Sequence, residues 1–100
     1  MKPISLQEFQ VRVKAFDGKD LETDARQAKF RLQVLSSGLQ FVPSSSNKPR
    51  REDWPYVEKA LERYAEINSF HPGDYHDFSR NPSYVLRVLR AVLEAKEQGL

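Results

Sequence analysis

The spacing of apolar residues organises the chain into a helix, a hairpin and two further helices. Leu6, Phe9, Val13 and Phe16 recur at intervals of three and four, the period of a helix with one buried face. Ser5 and Glu8 have the form of a capping box at its start, and Ile4 with Phe9 can form the hydrophobic staple beside it. Asp17-Gly18 supplies the stop. The same stretch admits a second reading, because Phe9, Val11, Val13 and Ala15 also alternate and Asp-Gly is a hairpin-turn pair, so residues 9–22 could instead form a hairpin. Three concurring start signals favour the helix. Residues 19–28 show no clear period and are expected to be irregular, with Thr23 available to cap a short turn.

From Lys29 the period becomes two. Phe30, Leu32 and Val34 alternate with Lys29, Arg31 and Gln33, and after a Ser-Ser-Gly turn Leu39 and Phe41 flank Gln40. This predicts an amphipathic hairpin in which Leu32 and Val34 share a face with Leu39 and Phe41. A slip of one residue would turn a strand's side chains to the other face, so the loop must be even: Ser37-Gly38, or Leu35 through Gly38. Residues 43–51, with two prolines, three serines and three cations, read as a loop.

Asp53 as cap and Pro55 in the first turn open the next helix, with Val57, Ala60, Leu61, Tyr64 and Ala65 on its inner face. Residues 68–80 read as a second loop. Asn81-Pro82 begins a last helix that runs to about Gln98 and stops at Gly99. Its polar residues Ser83, Arg87, Arg90, Glu94 and Glu97 make one narrow stripe, so this helix should be the centre of the core. The expected architecture is one small α+β domain over residues 1–100. About three helices pack on one face of a two-stranded antiparallel hairpin, in the order helix, hairpin, helix, helix.

A chain of 100 residues can bury one core, and six Phe, four Tyr and one Trp supply bulk to fill it. The absence of cysteine excludes disulfides, thiolate metal sites and a cysteine nucleophile together. Residues 3–8 are too polar for a signal peptide and no run is long enough to span a bilayer, so a cytoplasmic location and no membrane partner are expected. The net charge of +2, with 30% charged residues, is a mixed-sign surface, and any polyanion site must come from local clustering.

Both histidines lie in His71-Pro72-Gly73-Asp74-Tyr75-His76-Asp77, which invites a metal or acid–base reading. Pro72 and Gly73 break the helix that would align ligands, so the loop reads as a turn pinned by Phe70, Tyr75 and Phe78, with no metal and no cofactor expected. No phosphate-binding glycine loop or nucleophile motif is present, and Ser44, Ser45 and Ser46 have no evident base, so catalytic residues are not expected either.

The loop after the hairpin is the best functional candidate. Ser45, Asn47, Lys48, Arg50 and Arg51 all donate to anionic oxygen and stand before a helix start, although Glu52 and Asp53 there could neutralise the arginines. Lys29, Arg31, Gln33 and Gln40 on the hairpin's polar face extend the set with residue types that contact phosphates and base edges. Trp54 reads as a core residue and not as a stacking platform. The sequence therefore points to a non-catalytic binding module that contacts DNA or RNA through the hairpin and the loop 44–51. The alternative is a protein-interaction or weakly self-associating module acting through the hairpin edge.

Overall fold

In the computed structural model, which describes residues 3–99, the N-terminal ambiguity resolves as a helix. Helix α1 is Leu6–Val13, and the Ser5 hydroxyl accepts from the Glu8 backbone N–H at 3.2 Å while Ile4 and Phe9 are buried. The capping box closes only on one side, because the Glu8 carboxylate accepts from Arg12 (2.8 Å) and from Lys96 (3.0 Å). A 3-10 turn, Lys14–Phe16, prolongs the helix, and Gly18 at φ +77 reverses the chain in a conformation that a β-carbon disfavours.

Strand β1, Asp20–Glu22, then pairs antiparallel with β2, Lys29–Val34. Strand β3 is Gly38–Pro43 and β4 is Arg50–Asp53, and the four form an antiparallel meander in the order β1-β2-β3-β4. The expected two-stranded hairpin is thus the middle of a four-stranded sheet. Both added strands lie where the sequence reads as irregular or loop, and each carries side chains that argue against a strand: Asp20 and Glu22 in one, four charged residues in the other. Backbone pairing with the amphipathic hairpin recruits them. The hairpin register is one of the two expected, Leu32 opposite Phe41 and Val34 opposite Leu39, with Leu35 through Gly38 between the paired residues.

Helix α2, Trp54–Ile67, follows β4 directly and ends at Asn68 in the left-handed region (φ 53). A second 3-10 turn, Pro72–Tyr75, precedes α3, Pro82–Glu97. The helices cover one face of the sheet, where Phe30, Leu32, Leu39 and Phe41 are buried with Phe9, Val57, Tyr64 and Leu89 in a single cluster. Helix α3 contributes eight buried residues against two from α1, which makes it the centre of the core. Neither expected cap forms through its side chain: Asp53 bonds no helix N–H, and Asn81 is committed elsewhere. No helix among the described residues is long and apolar enough to cross a membrane.

Candidate functional site

The other face of the sheet is polar, as its alternation requires. Lys29, Arg31, Gln33 and Gln40 all lie there, joined by Arg51, which stands opposite Gln40. Strands β1 and β4 bring carboxylates to the same face. Asp20 lies opposite Arg31 and bonds it at 3.1 Å, Glu22 lies opposite Lys29, and Asp53 stands 3.8 Å from Arg51. Three cations therefore face three carboxylates, and this surface has little net field to offer a polyanion. Gln40 donates its side-chain amide to Gln33, so the two expected base readers are bonded to each other.

The loop lies apart from the start of α2. Ser45, Asn47 and Lys48 are exposed on a turn closed by the Asn47 N–H to the Pro43 carbonyl (2.9 Å), with Asn47 at φ 54. Strand β4 separates that turn from the helix start by four residues, about 13 Å at strand rise, so the helix N–H groups cannot join the loop in holding one anion.

Arg50 behaves differently from its neighbour. It stands opposite Phe41, on the inner side of β4, and opens into a cleft of about 600 Å³ between the 23–28 segment, the 71–76 loop and the start of α3. Arg26, Arg80, His71 and His76 line the same cleft, with hydroxyls from Thr23, Ser83 and Tyr84 and no carboxylate. Among the described residues Arg26, Arg50 and Arg80 take part in no ion pair. The neighbouring acids are engaged elsewhere: Asp24 pairs with Arg90 at 2.8 Å, Asp74 accepts from the Ser69 hydroxyl at 2.7 Å, and Asp53 and Asp77, which border a second pocket with Arg80, pair with Arg51 and Arg63.

Glu52, which the sequence offers as a counter-ion for Arg50 and Arg51, does not serve as one. It points inward opposite Leu39, is only 4% exposed, and accepts from the Ser79 hydroxyl (3.0 Å) and the Asn81 amide (3.4 Å). Burial pushes its carboxyl above the ordinary range, and the bonds from Ser79 and Asn81 offset this in part. Asn81 also donates to the Arg51 carbonyl at 3.1 Å, so these contacts fasten the 79–81 segment to the outer edge of β4 and bring Arg80 to the cleft that Arg50 also lines.

The 71–76 loop is held as a structural loop. Tyr75 is buried and donates to the Ser69 carbonyl at 2.6 Å, burial with the nearby Asp74 charge raising its hydroxyl to about 12. Arg63 bonds Asp77 at 2.8 Å and holds that carboxyl below its usual range. Trp54 is half-buried against the core, its indole N–H donating to the Ser36 carbonyl at 2.8 Å. A separate apolar groove along α1 includes Val11, Ala15, Phe16 and Ala95, and its charged residues Glu8 and Arg12 neutralise each other.

Sequence reasoning thus found Arg50 and the loop but did not join Arg26 or Arg80 to them. Arg26 and Arg80 sit on irregular segments with no periodic pattern. The one available signal was that each is a cation off any helix face. Comparison with known proteins finds no protein-family model, no curated protein and no solved structure that matches this chain, and the functional reading rests on the geometry.

Proposed function

We propose that this chain is a non-catalytic binding module that contacts the phosphate backbone of DNA or RNA with the β3–β4 loop and the arginine cleft behind it. One observation carries the reading: Arg50 leaves the charge-balanced sheet face and joins Arg26 and Arg80 in a cleft without a carboxylate. Lys48, Asn47 and Ser45 stand exposed on the loop that leads into Arg50 and extend the donor surface outward. Guanidinium groups suit this role because their forked donors match phosphate oxygens and keep their charge at every accessible pH. On the sheet face Lys29, Arg31 and Arg51 contribute less, since each already faces a carboxylate.

The competing reading, association through the hairpin edge, is left little backbone to use. Strands β2 and β3 are the inner strands of the sheet. Of the outer ones, β1 has three residues, and β4 is protected by the inward charge of Glu52 and by the Asn81 bond to the Arg51 carbonyl. Binding to labelled DNA and RNA across a salt titration tests the proposal. Affinity for either that falls log-linearly with salt supports it. No retention even at low salt, combined with a dilution-resistant dimer in light scattering, would transfer the function to protein association.

A further inference from the structure

We propose that the cleft is a phosphomonoester site, and that on a nucleic acid it takes the terminal phosphate of a strand. The inference rests on the nucleic-acid reading and adds to it the part of the polymer that enters the cleft.

Charge is the first argument. A phosphodiester inside a strand carries one negative charge, whereas a phosphomonoester carries about 1.5 to 2 at neutral pH and presents three acceptor oxygens. Three guanidiniums that take part in no ion pair among the described residues line one concavity, more charge than a single diester can neutralise. Shape is the second. A cleft of about 600 Å³ can admit the end of a strand, and the open sheet face that could lie along a continuous backbone is the surface whose charges cancel.

The neutral donors fit the same ligand. Thr23 Oγ1 already accepts from the Ala28 N–H at 3.0 Å, which leaves its hydroxyl hydrogen to donate outward. The Tyr84 ring is fixed by stacking on Phe41 (5.4 Å, 18°) and by an edge contact with Phe30, so its hydroxyl is presented on a rigid support. The backbones that carry the cations are held as well. Arg50 is on a paired strand, Arg26 is in a turn closed by the Gln27 N–H to the Thr23 carbonyl (2.9 Å), and Arg80 lies between two residues bonded to buried Glu52. At Gly73 an added β-carbon would stand 2.9 Å from the His71 ring, so glycine lets that imidazole lie against its own loop.

Two single-stranded oligonucleotides of one sequence, with and without a terminal phosphate, provide the test, measured by fluorescence anisotropy at low salt on the full chain. The phosphate is placed at the 5′ end in one series and at the 3′ end in another. At one end it should tighten binding by about tenfold, the scale of one added charge-assisted hydrogen bond. Arg80→Ala should weaken the phosphorylated strand more than the unphosphorylated one, until the two bind alike, and Arg80→Lys should restore part of the difference. Unfolding midpoints confirm that both variants are folded. Equal affinity for all strands, or an Arg80→Ala loss shared equally between them, overturns the terminal-phosphate inference and leaves backbone binding standing. If no strand binds but a nucleoside monophosphate raises the wild-type melting temperature and not that of Arg80→Ala, the monoester site is upheld and the strand as its source is overturned.

Discussion

Arg50 and Arg51 are consecutive residues that face opposite sides of β4, Arg50 paired across the ladder with Phe41 and Arg51 with Gln40. The period of two in a strand gives them different electrostatic surroundings: Arg51 shares Asp53 and bonds the Ser37 hydroxyl, while Arg50 meets only cations and neutral donors in its cleft. Arg50→Ala should therefore weaken nucleic-acid binding more than Arg51→Ala. It should also make the dependence of log affinity on log salt shallower by about 0.9 on duplex DNA, the value for one lost phosphate contact. Equal losses in a salt-titrated binding assay would place the contact surface on the sheet face instead.

Gly38 decides whether β4 can lie where it does. A β-carbon there would meet the Glu52 carbonyl oxygen and stand 2.7 Å from the Asp53 α-carbon, both of them backbone atoms that cannot rotate away. Gly38→Ala should cost about 1–3 kcal/mol as β4 is pushed off β3. It should also reduce phosphate binding, because Arg50 moves with the strand. Denaturant unfolding and the binding assay together check it, and an unchanged midpoint would show that the strand accommodates the methyl group.

The acid–base behaviour of Glu52 opposes that of the surface carboxylates. Burial raises its folded-state value above the ordinary 4.5, so its contribution to stability is complete below that pH and is lost as pH rises through the raised value. Asp77 and Glu8, lowered by bonds from Arg63 and Lys96, contribute above their ordinary values and lose that contribution as pH falls through the lowered ones. Glu52→Gln keeps an acceptor for Ser79 and Asn81 without the charge. Its urea midpoint should gain on the wild type as pH rises from 4.5 toward neutrality, and the gain should shrink again in acid. A difference that does not vary with pH would show that the carboxylate is better solvated than its burial implies.

Tyr64 is 1% exposed and its hydroxyl has no hydrogen-bond partner among the described residues, although the ring packs against Phe70 at 4.9 Å. Burying an unmatched hydroxyl costs about 1–3 kcal/mol, and phenylalanine keeps the ring without it. Tyr64→Phe should accordingly raise stability by about 1 kcal/mol, seen as a higher denaturant midpoint at unchanged slope. A loss of stability would reveal a bond that the hydroxyl makes in solution.

Periodicity together with the capping signals determined the three helices and the hairpin and narrowed its register to two, because burial of Phe9, Leu32, Phe41 and Leu89 depends on side chains that repeat at 3.6 or 2 residues along the chain. It also placed Lys29, Arg31, Gln33 and Gln40 on one solvent face. Strands β1 and β4 were decided only by the tertiary structure, since what holds them is backbone pairing to an existing hairpin, and Asp20–Glu22 and Arg50–Asp53 carry no pattern that announces it. The two strands then reassign the charges. Asp20, Glu22 and Asp53 cancel the sheet-face cations, Glu52 turns inward to Ser79 and Asn81, and Arg50 is released toward Arg26 and Arg80. Which cation stands without a counter-ion is a property of distances between segments remote in sequence, and a charge string along the chain does not contain those distances.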